Sequence, residues 1–194
     1  MRGMTKSRLE AFSDGVFAII ITIMVLELKV PHGPTLEDLR PLLPVFLGYL
    51  LSFVYVAIYW NNHHHLLQAA RQVRGSILWA NTHLLFWLSL LPFVTHWMGE
   101  SRFAGLPLFL YTAVMLMAAV AYFILSRALV AHHGANSALG QAVGRDRKGL
   151  ASLAAYALAL GLAFPLPWAA VALVVAVAVL WVIPDRRIER RLDL

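Results

Sequence analysis

The sequence predicts an all-α integral membrane protein with six transmembrane helices per subunit. Three observations lead there: a strongly apolar composition, long stretches without ionisable groups, and a lopsided distribution of Lys and Arg. Of 194 residues, 60% are hydrophobic and only 13% charged, with a mean hydropathy of +0.71. A soluble domain carries about 25% charged residues and about 45–50% apolar ones. Half the usual charge cannot cover a globular surface, so an ordinary soluble fold is excluded. Disorder is excluded by the high apolar fraction. The chain has no cysteine, which removes disulfides, thiolate metal sites and cysteine nucleophiles together. The net charge of +6 and pI of about 10.1 fit basic loops beside a membrane, and nucleic acid is not an expected partner.

The chain reads as one domain, residues 1–194, with helices over about 8–29, 41–61, 76–98, 104–127, 149–164 and 167–184. A spanning helix needs roughly 20 mostly apolar residues. In the first segment only residues 15–26 separate Asp14 from Glu27. That is about 18 Å of helix, so it crosses only with Asp14, or charges near it, at membrane depth. It ends at Lys29-Val30-Pro31 and is no signal peptide, since acids interrupt it on both sides and no cleavage site follows.

Pro41 to Ala70, Gly75 to Gly99 and Phe103 to Ser126 each lack Asp, Glu, Lys and Arg. Gly149 to Pro184 is another such stretch, which as one helix would reach about 54 Å. Phe164-Pro165-Leu166-Pro167 splits it into a hairpin of two short arms. A re-entrant loop fits that stretch equally well. Arg127 to Lys148 reads as a cytoplasmic loop whose basic end serves topology or sits on anionic lipid.

Six crossings put Arg2, Lys6, Arg8, Arg71, Arg74, Arg127, Arg145, Arg147, Lys148, Arg186, Arg187, Arg190 and Arg191 on one side. Only Lys29, Arg40 and Arg102 fall on the other. This is the bias of the positive-inside rule, with both termini cytoplasmic.

Ionisable groups inside a membrane are costly and mark either a pathway or a paired network. The first segment concentrates Arg8, Glu10, Ser13, Asp14, Thr22 and Glu27. At 100° per residue Phe12, Ile19, Ile23 and Leu26 share one stripe, with Thr22 and Glu27 on its flanks. Asp14 points to nearly the opposite side, toward neighbouring helices. A lipid-facing helix is apolar nearly all round, so geometry alone leaves the stripe either lining a pore or facing lipid.

His63, His64 and His65 point about 100° apart and share no face, which disfavours a metal site. His32, His96, His132 and His133 lie near helix ends or in loops, where a solvated ring is expected. Pro92, Pro107, Pro165 and Pro167 set kinks or helix starts. Tyr59, Trp60, Trp97 and Trp181 suit interfacial anchoring. The small residues from Ala151 to Ala163 permit close helix packing.

Arg8-Leu9-Glu10-Ala11-Phe12-Ser13-Asp14, continuing through Gly15 to Pro31, resembles the Arg-x-x-x-Phe-Ser-Asp signature of the transmembrane protein 175 family. That family comprises the endosomal/lysosomal potassium channel and its bacterial relatives. Tyr59-Trp60-Asn61-Asn62-His63-His64, Trp79-Ala80-Asn81-Thr82 and Leu88-Ser89-Leu90-Leu91-Pro92-Phe93 are similar to it as well. The resemblance covers the first three helices.

What it implies is a potassium-preferring cation channel: a homotetramer in a bacterial inner membrane, its pore lined by the first helix. Five residues past the signature Asp the family places a hydrophobic ring, here Ile19, with Ile23 and Leu26 extending the constriction. Thr22 and Glu27 become polar pore-lining groups, and potassium in transit passes near Ile19 and Thr22. Arg8, Phe12, Ser13, Asp14, His64, Trp79 and Asn81 become a structural network joining the first helix to its neighbours. His65, His83 and Trp60 are further candidate partners. No cofactor, resident metal or catalytic residue is implied, while sodium or protons remain possible permeants. The rival readings are a proton-coupled secondary transporter using Asp14 and an integral membrane enzyme. No Gly-x-Ser-x-Gly, His-Glu-x-x-His or phosphate-binding glycine loop supports the latter, and no internal repeat supports the former.

Overall fold

A computed structural model describes residues 5–70, 72–134, 137, 140 and 146–182. Eight α-helices and a 3₁₀ turn lie among them. They are α1 (Lys6–Leu26), α2 (Leu36–Leu39), the 3₁₀ turn Arg40–Leu42, α3 (Leu43–Gln68), α4 (Gly75–Ser89), α5 (Leu91–Glu100), α6 (Gly105–His133), α7 (Arg147–Leu162) and α8 (Pro167–Val182). Among the described residues four spans are long and apolar enough to cross a membrane: Lys6–Leu26, Leu36–Gln68, Gly75–Glu100 and Gly105–His133. The chain is therefore a multi-pass helical membrane protein.

Local chemistry explains where the helices differ from their expected limits. α1 closes at Leu26, where the α-type bond from Glu27 N to Ile23 O gives way to a tighter turn in which Leu28 N donates to Val25 O, ahead of Pro31. Thr35 and Asp38 form a reciprocal capping box that starts α2. α3 continues past residue 61 to Gln68 because His63, Leu66 and Leu67 stay on its buried face. The third expected helix is two helices meeting at Leu90. Pro92 cannot donate to the carbonyl of Leu88, so the ladder breaks there.

The loop expected to begin at Arg127 is also corrected: α6 carries Arg127 through His133 and stops at Gly134, φ +91°. Much of the following connection lies outside the described residues. Asp146 then caps α7 through Gly149 N at 2.8 Å. The hairpin arms α7 and α8 have 16 residues each, roughly 24 Å of helix against a hydrocarbon core of about 30 Å.

α3 and α6 form the middle of the bundle. α1 packs on α3, α4 and α5, while the α7–α8 hairpin packs on α6 and α3. Polar groups in the interior meet one another, as a medium without water requires. Ser52 Oγ lies 2.7 Å from Thr95 Oγ1 and 3.1 Å from the Tyr111 hydroxyl, joining α3, α5 and α6. Tyr55 donates to Val174 O of α8, and Trp181 Nε1 donates to Ser152 Oγ at 2.8 Å. One expected interfacial anchor is buried in the bundle instead: Tyr59 packs edge-on against Tyr122.

The contacts sort the helix ends into two groups. Lys6 Nζ donates to Gln68 O at 3.3 Å, and Gln72 N donates to His133 Nε2 at 3.3 Å. These bonds gather the start of α1, the end of α3 and the end of α6. At the opposite end Lys29 pairs with Glu100, Phe103 packs on Trp168, and Gly105 abuts Phe164. α3 and α5 approach closely here, since a Cβ on Gly99 would stand 2.6 Å from Val45 Cα. Gly99→Ala forces these helices apart, and overpacking of this kind costs about 1–3 kcal/mol. The expected result is a lower midpoint of thermal unfolding in detergent than for the parent chain.

Candidate functional site: the outward face of the first helix

α1 has two unlike faces. Leu9, Ser13, Phe17, Ile20 and Met24 are buried against the bundle. Arg8, Phe12, Gly15, Ala18, Ile19, Thr22, Ile23 and Leu26 are turned away from it. Ile19 is 59% exposed and Leu26 is 77% exposed in the protomer. The stripe foreseen as Phe12, Ile19, Ile23 and Leu26 is therefore uncovered, and the exposed surface continues on one flank through Gly15, Thr22 and Ala18. Thr22 Oγ1 donates to Ala18 O at 2.8 Å. Its proton is thus used within the helix, leaving oxygen lone pairs as the hydroxyl's remaining polar function.

A buried chain of hydrogen bonds sets which way this face turns. Ser13 Oγ donates to Leu9 O at 2.8 Å and accepts from Asn81 Nδ2 of α4 at 3.0 Å. Asn81 Oδ1 lies 2.7 Å from His63 Nε2 of α3. With Oδ1 an acceptor, His63 carries its proton on Nε2. The edge-on contact of His63 with Phe17, 5.6 Å between centroids, returns the connection to α1. A second tie is outward: Trp60 Nε1 donates to Asp14 Oδ1 at 2.9 Å.

Of the expected network, Ser13, Asp14 and Asn81 are tied to other helices within the protomer. The histidine in the buried chain is His63, not His64, which stacks on Trp60 at 5.9 Å. Burial phase explains the difference. Tyr55, Tyr59 and His63 recur at intervals of four on the inward face of α3, and His64 is the next residue round. That signal was present in the sequence. His83 accepts from Trp87 Nε1 within α4 and does not reach α1, and His65 Nδ1 is buried without a hydrogen-bond partner. Phe12 and Trp79 lie exposed, Trp79 at 77%. Arg8 is exposed and has no ion pair among the described residues.

Just past the C-terminal end of α1, Glu27 is half exposed and faces His96. His96 is not the solvated ring expected from its place near a helix end, for it is partly buried between Glu27 and Glu100. No group of three or more His, Asp or Glu suited to a metal occurs among the described residues.

A multi-pass helical membrane protein that turns an apolar helix face, broken by small residues and one hydroxyl, away from its own core fits the architecture of a channel subunit. The comparisons with known proteins give that class a family. The family described as endosomal/lysosomal potassium channel TMEM175 matches residues 8–92. A potassium channel of Chryseobacterium sp. (strain P1-3) is 53% identical over 189 residues, covering 97% of this chain and 98% of that protein. The human endosomal/lysosomal proton channel TMEM175 is 31% identical over 116 residues, 54% of this chain and 23% of that protein. The crystal structure of a lysosomal potassium-selective channel TMEM175 homolog from Chamaesiphon minutus superposes with a TM-score of 0.76 at 27% identity. That match covers 92% of this chain and 96% of the homolog. The chain belongs to the TMEM175 family.

Asn81→Ala leaves Ser13 and His63 without their shared partner. A buried polar group so orphaned costs about 1–3 kcal/mol. The unfolding midpoint in detergent is expected to fall for Asn81→Ala and to stay near the parent value for Trp79→Ala, whose ring has little cover within the protomer.

Proposed function

We propose that this protein is the subunit of a potassium-preferring cation channel, a homotetramer in a bacterial inner membrane with six crossings and both termini cytoplasmic. The observation that carries the reading is the outward face of α1. It is uncovered in the protomer and bears Ile19, Ile23 and Leu26 with Thr22 on their flank. The potassium-channel names of the bacterial relatives support the choice of ion. The grouping of Lys6, Arg8, Arg74, Arg127, Arg147 and Lys148 toward one end of the bundle favours that end as the cytoplasmic one.

In this reading four copies of α1 meet at an axis. The Ile19 side chains form an apolar throat that expels water when narrow, which blocks ions without a steric plug. Ile23 and Leu26 lengthen the throat outward, and rotation or splaying of α1 opens it. Thr22 supplies oxygen lone pairs to a cation shedding water, and Glu27 draws cations toward the outer mouth. Arg8 would repel cations at the inner mouth if left bare, so its charge is answered across the subunit interface. Ser13 and Asp14, through Asn81, His63 and Trp60, hold α1 at the rotation that presents Ile19 to the axis.

Planar-bilayer recording of the purified protein under bi-ionic potassium/sodium conditions tests this. A potassium-preferring single-channel current is expected, with a resting leak several-fold larger in Ile19→Asn because a polar ring stays wet. Slow saturable flux without unitary currents would favour a carrier. Asp14→Ala is expected to lose assembly or gating. A folded tetramer with unaltered flux would count against the role given to that carboxylate.

A further inference from the structure

His96 is left without a purpose by conduction alone. Its Nδ1 lies 3.7 Å from Glu27 Oε2 at the end of α1, and its Nε2 lies 3.9 Å from Glu100 Oε1 at the end of α5. Nδ1 is fully buried and makes no hydrogen bond. The ring borders a crevice of about 680 Å³ that also reaches Ile23 on the outward face of α1. We propose that His96 is a proton-binding site at the outer end of the bundle, and that its charged form clamps the end of α1 to the end of α5.

The chemistry follows from counting donors. A neutral imidazole has one N–H, so one of the two carboxylates must face a ring lone pair. An imidazolium has two N–H groups on opposite sides of the ring, one for each carboxylate. A single metal ion cannot use both nitrogens of one ring, so the arrangement suits a proton better than a metal.

The charge count agrees. Lys29 Nζ lies 2.6 Å from Glu100 Oε1. Two carboxylates and one ammonium leave the group one negative charge in excess, and protonation of His96 cancels it. The other elements packed against α5 add little ordinary charge here. α6 brings the Tyr111 phenol behind Thr95, and α3 and α4 bring the hydroxyls of Ser52 and Ser89. Protonation of His96 on acidification of the outer medium therefore adds attraction to both carboxylates and tightens the clamp, and its deprotonation in alkaline medium releases it. This concerns how α1 is held, whatever surface α1 lines.

The chain has no cysteine, so paired spin labels at Val30→Cys and Arg102→Cys report the distance between the two helix ends. The full chain is reconstituted in nanodiscs, labelled protein diluted with unlabelled, and distances are measured at pH 8 and pH 5.5. The distribution is expected to shorten and narrow at pH 5.5, and His96→Gln and Glu27→Gln are each expected to abolish that change. A pH response that persists in His96→Gln, or its absence in the parent pair, overturns the proposal. Because the readout needs no current, a clamp found in a protein that fails to conduct stands on its own, while the channel reading falls.

Discussion

The structure depends on one constraint: polar groups placed in hydrocarbon must find partners within the protein, because no water is present to take them. Ser13, Asn81 and His63 meet that demand by sharing donors and acceptors across three helices. Their bonds fix the rotation of α1 about its own axis, and that rotation decides what the helix shows to the outside. A turn of 100°, one residue's worth, would bury Ile19 and withdraw Ser13 from Asn81. The uncovered face is thus a consequence of the buried one. The Ser52–Thr95–Tyr111 cluster plays the same part deeper in the bundle, joining α5 to α3 and α6.

Much of this was legible in the sequence, for reasons that differ between elements. The long spans announce themselves because a bilayer demands uncharged length. The break at Pro92 and the turn before Pro167 follow from a ring that cannot donate to the preceding turn. The stripe on α1 was visible because helical periodicity needs no partner to be read. What escaped was whatever depends on how two helices meet. His96 looked like a solvated helix-end residue, and only the packing of α1 against α5 brings Glu27 to it. Tyr59 looked like an anchor at the membrane surface, and only the approach of α6 puts Tyr122 over it. Among three consecutive histidines, choosing His63 required knowing which side of α3 is inward.

The two halves of the chain rest on different grounds. Residues 8–92 carry the family's sequence pattern, and they hold α1 together with Asn81, His63 and Trp60, which orient it. The remainder lies outside that pattern, while the superposition on the Chamaesiphon minutus homolog extends over 92% of this chain. α6 backs α4 and α5, and the α7–α8 hairpin backs α6. In this arrangement the later helices buttress the earlier ones, and packing density constrains them more than any single side chain does.

One small turn ties those halves together in time. Between α5 and α6, Arg102 and Phe103 stand in succession in the left-handed region, φ 51° and 61°. Non-glycine residues there are strained by about 1–3 kcal/mol each and persist only where their surroundings overdetermine them. Part of what holds Phe103 is Trp168, in the first turn of α8. Synthesis runs from the N-terminus, so α8 leaves the ribosome after the turn it secures. Until then the corner beside Glu100 lacks the aromatic backing that Trp168 gives it.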